Sequence, residues 1–454
     1  MLFTSKTLAH VDAGWGGVFV NIEVPFSVKE KQSHVDDRDL KASEFYGVAD
    51  SLFARRSRTS LPTQFQCCTG LIKPSAPFAT SSGKRLELIQ DFFDRSLEIF
   101  EDALRGKCPH DLYQWLLNDT PASLRRRWHL SLPRAVYKRP LFFRTDECPE
   151  GKIMELQCPG SGWGDLAFLR ELYLEFGGMT EAEREKLRGF DPAGTFVAEV
   201  ARSVGRTAPS ILHLLDNASG PSSVKYFITA TSPPLRYWGY DSGIENKGCE
   251  LIRSHSFFGL VAENLFKVRL ERAAKGETQF DLPPIVVFDQ KTPLALPFME
   301  ATRERFSDEV RSIFVYTAPL TRDGFQDEQG QQVSFDALLK RPLKDRKYFA
   351  KYAGVDVSRN WGSRAVHRLS DNKKTLEAIR ADVESGMPWI VQPDVSGKAS
   401  ISFFNREKDQ IQKEKLYAAY SRFYGPSTII GARARYRGTV KVHGQPDTAA
   451  GLVL

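Results

Sequence analysis

Two short strand-like runs near residue 150 carry carboxylates, an amide and an arginine at alternating positions. The runs LFFRTD and KIMELQ flank the turn-forming segment CPEG and therefore predict a β-hairpin. We expect Arg144 to pair with Glu155, with Asp146 and Gln157 on the same face, because side chains alternate along a strand. Carboxylate and amide oxygens suit Mg²⁺, and an arginine beside them can hold a phosphate by two hydrogen bonds. A hairpin with one solvated, salt-bridged face is the alternative interpretation.

A lysine at the end of an apolar run is the second candidate. Lys351 ends the run YFAK and is followed by Gly354 and by the segment NWGSR at 360–364. A lysine can contact phosphate as a point charge, and small residues let backbone N–H groups approach phosphate oxygens. Neither G-x-x-x-x-G-K-[ST] nor G-x-G-x-x-G occurs in the chain. Tight turns beside a strand explain this segment equally well.

Two further segments could contact a nucleotide or another anion. The run WIVQP at 389–393 places Gln392 at the end of an apolar segment that could wall an adenine ring, although such runs more often belong to the core. Arg433, Arg435 and Arg437 recur at every second residue, so their side chains share one strand face. Aligned guanidinium groups repel one another, which indicates an anionic partner such as a polyphosphate or an acidic surface.

Alternating helical and strand-like patterns must position these candidates. Apolar residues at spacings of three and four predict an amphipathic helix over 83–105, and Thr180 with Glu183 predicts a capping box. Strand-like runs are SILHLLD, KYFITAT, PPIVVFD, SIFVYTA and PWIVQP; helices are expected near 193–204, 257–274, 299–312 and 371–386, and an exposed loop at 321–332. This alternation predicts an α/β protein with mostly buried strands.

Composition limits the classes of protein to consider. The chain has 454 residues, of which 41% are hydrophobic and 26% charged, as is typical of a globular protein with two or three domains. A formal net charge of +7 favours an anionic partner, but no Lys-rich run or basic tail favours nucleic acid. No apolar stretch reaches the roughly 18 residues that cross a bilayer, and no signal-peptide pattern opens the chain. With six cysteines in no regular framework, we expect a cytoplasmic protein with reduced thiols and no membrane contact.

The order of these motifs resembles the ATP-grasp superfamily, in particular the rearranged branch typified by the synthetase domain of glutathionylspermidine synthase. That branch has an R-x-D…E-x-N motif ahead of the nucleotide lysine, and Arg144-Thr-Asp146…Glu155-Leu-Gln157 is similar to it. The resemblance implies that Asp146, Glu155 and Gln157 hold Mg²⁺ and that Arg144 steadies the transferred phosphate. Gln157 departs from the pattern, because it stands where asparagine is usual.

The same resemblance implies a nucleotide site. Lys351 would contact the phosphates of ATP, and Gln392 would lie near the adenine hinge. The residues of the glycine loop would be Asn360, Gly362, Ser363 and Arg364. The arginine-bearing strand supplies Arg435 as a third candidate catalytic residue beside Arg144 and Lys351. Tyr352 stands where proline is typical of the branch, and the hinge lacks its usual acidic residue.

The resemblance also implies an architecture and an activity. We expect an ATP-grasp-like α/β fold of mixed sheets, with a nucleotide cleft between two domains. Residues 1–135 would form an N-terminal region of unassigned role, 136–320 the domain with the metal hairpin and substrate site, and 321–454 the nucleotide-binding domain. The implied enzyme is an ADP-forming ligase that joins a small-molecule or peptide carboxylate to an amine, using ATP and Mg²⁺, through an acyl phosphate.

Two other functions stay open from the sequence. The substitutions around Gln157 and Lys351 are compatible with a non-catalytic protein that keeps the ATP-grasp shape to hold a ligand. A less favoured alternative is a basic protein associated with nucleic acid, which would use the arginine strand and the run Arg125 to Arg127.

Overall fold

The computed structural model describes most of the chain beyond residue 40. The described residues are 41–57, 61, 66–74, 78, 84–117, 119–158, 162–176, 179–214, 221–232, 235–238, 249–254, 256–262, 265–360, 364–370, 372–442 and 448–454. Within them, every helix is too short or too polar to cross a membrane.

The described elements alternate between helices and strands along the chain. The helices are α1 (Ala42–Ser57), α2 (Arg85–Leu104), α3 (His110–Leu117), α4 (Arg126–Ser131), α5 (Trp163–Phe176), α6 (Glu181–Gly189), α7 (Pro192–Val204), α8 (Pro221–Thr231), α9 (Phe257–Val261), α10 (Phe266–Ala274), α11 (Asp308–Ser312), α12 (Phe335–Lys340), α13 (Val357–Asn360) and α14 (Lys373–Glu384). The strands are β1 (Gln66–Cys68), β2 (Phe143–Glu147), β3 (Ile153–Gln157), β4 (Ser210–Leu214), β5 (Arg236–Trp238), β6 (Leu251–Ser254), β7 (Gln279–Phe280), β8 (Ala318–Leu320), β9 (Phe325–Gln326), β10 (Gln332–Val333), β11 (Tyr348–Tyr352), β12 (Val366–Arg368), β13 (Trp389–Pro393), β14 (Gly397–Asn405), β15 (Gln410–Tyr424), β16 (Ile429–Arg437) and β17 (Ala449–Val453).

A seven-stranded sheet carries the predicted metal hairpin and the arginine strand. Its order is β14-β1-β17-β16-β15-β2-β3, and β14 also pairs with the first half of β15. The long strand β15 therefore contacts β14 along one half, β2 along the other, and β16 on its opposite edge. This arrangement places the hairpin β2–β3 beside the arginines of β16, with β15 between them.

Two four-stranded sheets complete the framework of the site. The antiparallel sheet β12-β11-β13-β8 carries Lys351 on β11 and Gln392 on β13, next to each other in space. The sheet β5-β4-β6-β7 is parallel throughout. Parallel and antiparallel strands with helices packed against them make this a mixed α/β fold, as the sequence predicts.

Helix α2 packs on the apolar face of the hairpin, on the side opposite Arg144 and Asp146. The ring of Phe93 on α2 lies 5.1 Å from that of Phe143 on β2, which stacks at 4.8 Å on Tyr424 of β15. Each of these side chains is at most 2% exposed, so each contributes roughly 1.5–3 kcal/mol by burial. Helix α2 therefore supports the strand that carries Arg144 and Asp146 from behind.

Several predicted elements are confirmed. The amphipathic helix expected over 83–105 is α2, and Gly106 follows it with a positive φ of 74° that suits glycine. The capping box forms at Thr180, whose hydroxyl accepts from the N–H of Glu183 while the Glu183 carboxylate accepts from the N–H of Thr180. The runs SILHLLD and PWIVQP form β4 and β13.

Other predicted elements are wrong. The run KYFITAT lies in α8, where Tyr226 packs on Phe53 and Phe168, so tertiary packing overrides its strand propensity. The run PPIVVFD forms a 3₁₀ turn at Val286–Asp289, because a short, wholly buried apolar run has no periodicity that distinguishes strand from helix. Three further predictions differ from the structure in extent. In SIFVYTA only Phe314, as a single bridge, and Ala318, as the first residue of β8, pair with other strands. The helix expected near 299–312 is limited to α11 and a 3₁₀ turn, and the loop expected at 321–332 contains the short hairpin β9–β10.

Candidate nucleotide and metal site

The hairpin forms with a register different from the predicted one. Arg144 lies opposite Gln157, and Asp146 lies directly opposite Glu155. The predicted pairing of Arg144 with Glu155 is wrong because β2 continues to Glu147, which still pairs with β3, and a bulge follows Asp146. The shift is an even number of residues, so the predicted chemical groups still share one face.

Asp146 is enclosed by hydrogen-bond donors. Arg144 donates to both of its oxygens, from Nε to Oδ1 at 3.0 Å and from Nη2 to Oδ2 at 2.8 Å. The hydroxyl of Ser421, on the neighbouring strand β15, donates to Oδ1 at 2.7 Å. Arg144 is 3% exposed and Asp146 is 1% exposed. The alternative of a solvated, salt-bridged face therefore does not describe this part of the hairpin.

Glu155 and Gln157 complete the acidic end of the site. The amide nitrogen of Gln157 lies 3.4 Å from Oδ2 of Asp146 and 3.5 Å from Oε1 of Glu155, so it sits between the two carboxylates. Glu155 also pairs with Lys291, whose Nζ is 3.4 Å from Oε1. A small cation between the two carboxylates would take the place of one amide N–H group.

Lys351 and Gln392 approach this hairpin from the other sheet. Both donate to the backbone carbonyl of Met154 on β3, Lys351 from Nζ and Gln392 from Nε2, each at 3.2 Å. Gln392 also donates to Oγ1 of Thr317 at 2.8 Å. Burial lowers the pKa of Lys351, and Lys291 lowers it further, while Glu155 acts in the opposite direction. The amino group of Lys351 thus lies near the carboxylates of Glu155 and Asp146, in a site largely shielded from water.

A cleft lies between the seven-stranded sheet and the sheet that carries Lys351. Its enclosed volume is about 90 Å³, or about 750 Å³ when the open mouth is counted. Glu155 and Lys351 line it, together with Gln392, and most of its remaining wall is apolar. The other lining residues are Cys148, Pro149, Met154, Phe349, Val366, Pro393, Val395, Ser396, Tyr417, Ala418, Ala419, Val440, Lys441 and Val442. An apolar wall with a few converging polar groups is typical of a small-molecule site.

The arginine strand β16 faces an aspartate at the start of α5. Asp165 pairs with Arg433 and accepts from Nη2 of Arg435 at 3.2 Å. Burial lowers the pKa of Arg435 to about 10, and the charge of Arg144 acts in the same direction. Burial likewise lowers the pKa of Arg433, with Arg435 and Arg144 adding to the effect. The charges of Arg144 and Asp146 in the hairpin therefore influence the pKa values of Arg433 and Arg435.

The predicted glycine loop is described only at its ends. Asn360 is the last residue of α13, and Arg364 is exposed just before β12. Gly362 and Ser363 lie outside the described residues. The assignment of these four residues to a nucleotide-binding loop stays a prediction.

Lys291 also belongs to this site, although the sequence patterns did not identify it as a candidate. Lys291 follows the buried turn of PPIVVFD, and its backbone N–H donates at 3.0 Å to the carbonyl of Ala353, two residues after Lys351. A lysine after an apolar run is the signal that indicated Lys351, and the same signal was present at Lys291. Asp165 and Ser421 gave no comparable signal, since they reach the site only through long-range packing.

Comparisons with known proteins concern the fold. No family model matches the chain, and no curated protein matches its sequence significantly. The chain is similar to the solved apo structure of a glutathione synthetase-like effector from Globodera pallida, with a TM-score of 0.52, 9% identity, and coverage of 91% of this chain and 96% of that chain. The fold is ATP-grasp-like. A candidate γ-glutamylcysteine synthetase from Methylobacillus flagellatus KT gives a TM-score of 0.36 at 9% identity, over 82% of this chain and 88% of that chain.

The donor set fits Mg²⁺ bound together with phosphate. Within the described part of the chain, no group of three or more His, Cys, Asp or Glu side chains could hold a metal ion. The hairpin offers two facing carboxylates, Asp146 and Glu155, with the amide of Gln157 between them. Mg²⁺ commonly binds through one or two carboxylates and completes its shell with water and substrate phosphates. The residues therefore fit a cation that takes its remaining ligands from water or phosphate, and do not form a closed all-protein cage.

Proposed function

We propose that this protein is an ATP-dependent ligase that joins a carboxylate to an amine. The observation that carries the proposal is that Glu155 and Lys351 line a cleft between two sheets, while Lys291 pairs with Glu155 and Asp146 lies opposite Glu155 in the hairpin. The ATP-grasp-like fold supports it. Lys351 and Gln392, which the resemblance implies would contact the nucleotide, both line the cleft.

The charges of the site suit a triphosphate. We use the term ionic cluster for Arg144, Asp146, Glu155, Asp165, Lys291, Lys351, Arg433 and Arg435, which are linked by ion pairs or by mutual effects on their pKa values. The ionic cluster has five basic and three acidic side chains, so it carries an excess of positive charge in a buried place. Phosphate oxygens would compensate this excess.

The residues have distinct proposed roles in the reaction. Lys351 and Lys291 would contact nucleotide phosphates as point charges, and Arg144 would hold the transferred phosphoryl group by two hydrogen bonds. Asp146, Glu155 and Gln157 would hold Mg²⁺. Bound Mg²⁺ would supply charge neutralisation at the phosphates. Arg435 would stabilise negative charge on the transferred group or on the substrate carboxylate.

The proposed chemistry has two steps. A carboxylate oxygen of the acid substrate attacks the γ-phosphorus of ATP, the bond to the β,γ-bridging oxygen breaks, and ADP leaves. The amine nitrogen then attacks the acyl carbon, inorganic phosphate leaves, and the nitrogen loses a proton to give the amide. Both steps depend mainly on positioning and on neutralising charge, which the buried ionic cluster would provide.

Trapping the acyl phosphate tests this proposal. Hydroxylamine replaces the unknown amine and converts an acyl phosphate into a hydroxamate, while a coupled assay follows ADP release. We expect a panel of carboxylic acids to include one that gives ADP and hydroxamate in equal amounts with the wild type, and neither product with Asp146→Asn. If the wild type binds ATP yet releases no ADP with any acid, the ligase proposal is wrong and the non-catalytic alternative gains support.

A further inference from the structure

Asp146 and Glu155, the two carboxylates proposed to hold the cation, each have a basic partner. Arg144 donates to both oxygens of Asp146, at 3.0 and 2.8 Å, and Lys291 lies 3.4 Å from Glu155. Arg144 and Lys291 are 3% and 6% exposed, so these are ion pairs of the interior and not of the surface. The two carboxylates that suit a cation are therefore neutralised by the protein itself.

A free divalent cation would have to break these pairs without replacing them. If the cation displaced Arg144 from Asp146, a nearly buried guanidinium group would lose both hydrogen bonds that it donates to this carboxylate. Breaking a buried, hydrogen-bonded ion pair is strongly unfavourable. The ion pair at Asp146 thus opposes the binding of a cation that arrives alone.

A cation that binds together with a nucleotide brings phosphates that can replace the carboxylates as partners of the basic groups. The phosphates would give Arg144 and Lys291 new anionic partners, since an arginine grips a phosphate with the same two-pronged geometry that it uses for a carboxylate. Asp146 and Glu155 would then be released together to the cation. In this exchange every buried charge keeps a partner of opposite sign.

We propose that Arg144 and Lys291 act as internal counterions that keep free divalent cations off Asp146 and Glu155, so that the cation binds only with the nucleotide. This inference rests on the proposed function, since it takes ATP as the ligand that draws the two basic side chains away. It goes beyond that function by assigning an order to binding, and it gives Arg144 a role before any phosphate is transferred.

Manganese binding measured by electron paramagnetic resonance tests the inference on the intact chain. Mn²⁺ stands in for Mg²⁺, and the β,γ-imido analogue of ATP supplies phosphates without turnover. For the wild type we expect little bound Mn²⁺ without nucleotide, and one site with at least tenfold tighter binding, on the order of the cost of an uncompensated buried charge, when the analogue is present. Equal Mn²⁺ affinity with and without the analogue would overturn the inference.

Variants locate the effect at the ion pair. Arg144→Gln should bind free Mn²⁺ about tenfold more tightly than the wild type, because the carboxylate of Asp146 loses its internal counterion. Asp146→Asn should bind no Mn²⁺ under either condition. Arg188→Gln, which removes two exposed ion pairs on α6, is the matched control and should behave as the wild type. Circular dichroism checks that each variant folds; if Arg144→Gln folds and gains no affinity, the inference is wrong.

Nucleotide binding measured in parallel separates this inference from the proposed function. If the wild type fails to bind the ATP analogue at all, the proposed function and the inference fall together. If it binds the analogue but also binds free Mn²⁺ equally well, only the inference falls. Binding of Mn²⁺ that requires the analogue supports both.

Discussion

Two lysines, distant in sequence, end beside the same carboxylate. The pKa of Lys351 responds to both Glu155 and Lys291, and Lys291 pairs with Glu155 directly. At the scale of single residues, we therefore expect Lys291 to contribute as much as Lys351 to the binding of a polyphosphate. Lysine contacts of this kind act through charge, so removal of the amino group is the informative change.

Lys291→Ala is therefore expected to weaken nucleotide binding. We expect Mg²⁺–ATP affinity, measured by calorimetry, to fall by about tenfold or more, as for the loss of a charged contact in a buried site. Lys373→Ala is the matched control, because that side chain is 72% exposed. An unchanged affinity in Lys291→Ala would exclude this lysine from the site.

A second buried ion pair, between Arg253 of β6 and Asp281 just after β7, makes stability depend on pH. Asp281 accepts from Arg253 at 2.5 Å and from the N–H of Phe142 at 3.0 Å. Burial raises the pKa of Asp281 from 3.8 to about 6, although Arg253 acts in the opposite direction. The folded chain thus binds this proton more tightly than the unfolded chain, so the stabilisation is complete at low pH and is lost as the pH rises through about 6.

Asp281→Asn removes that titration. Relative to the variant, the wild type should lose up to about 3 kcal/mol in its free energy of unfolding as the pH rises from about 4 to about 7. Urea unfolding at several pH values measures this difference, and other titrating groups cancel in the comparison. Asp308→Asn, at a side chain that is 94% exposed, is the matched control. A difference between wild type and Asp281→Asn that does not vary with pH would contradict the account.

At the scale of elements, the turn at 352–355 connects the segments that carry Lys351 and Lys291 to Asp119, which follows helix α3. The carboxylate of Asp119 accepts from the hydroxyl of Tyr352 and, at 3.0 Å, from the N–H of Val355. The same turn accepts the N–H of Lys291 at the carbonyl of Ala353. Strand β11 and the turn before Lys291 are thereby held in one position.

Gly354→Ala tests this turn. A Cβ atom at residue 354 would lie 2.3 Å from Oδ2 of Asp119 and 2.5 Å from the hydroxyl of Tyr352. The hydrogen bonds that Asp119 accepts from Tyr352 and Val355 would therefore have to lengthen or break. We expect a loss of about 1–3 kcal/mol in stability, together with weaker nucleotide binding. Gly438→Ala is the control, because nothing lies within 4 Å of its added Cβ atom. Equal stability of the two variants would show that the turn is not constrained as described.

The elements that sequence patterns predicted best are those with long or alternating signals. The helix α2 and strands β4 and β13 have clear periodicity or bounded apolar runs, and they form as predicted. The run at 283–289 is buried on all sides, and KYFITAT gains more from packing Tyr226 in a helix than from its strand propensity. Such outcomes depend on neighbours that local sequence does not specify.

The same limit applies to the candidate site. Alternation along β2 and β3 fixed which side chains share a face, although the bulge after Asp146 changed their partners. The counterions of the site come from elsewhere: Lys291 from a 3₁₀ turn, Asp165 from the start of α5, and Ser421 from β15. Only the assembled fold brings these groups together. The sequence therefore predicts which candidate ligands share a face, but it does not predict the ion pairs that neutralise them.

At the scale of the whole molecule, one hydrophobic cluster draws on residues from Ile89 to Tyr424. It includes side chains from all three segments expected from the sequence, namely 1–135, 136–320 and 321–454, and that division itself stays a prediction. In this cluster Phe92 of α2, fully buried, packs at 4.5 Å on Phe314. We therefore expect the site and helix α2 to be stabilised by common packing.

Phe92→Ala tests the shared core. The substitution should cost about 3–5 kcal/mol, as is usual for a large buried aromatic side chain. The loss should appear in a single thermal transition that also abolishes nucleotide binding. Leu130→Ala, at a residue that is 47% exposed, should change stability by less than about 0.5 kcal/mol. Two separate transitions, with only one affected by Phe92→Ala, would instead favour independent domains.

The cleft between the two sheets is proposed to bind ATP together with a divalent cation. Calorimetric titration of Mg²⁺–ATP into the wild type, Asp146→Asn and Lys351→Ala tests it most directly. We predict Mg²⁺-dependent binding in the micromolar range for the wild type and its loss in both folded variants. Absence of binding to the folded wild type at millimolar ATP would contradict the account and remove the nucleotide from the site.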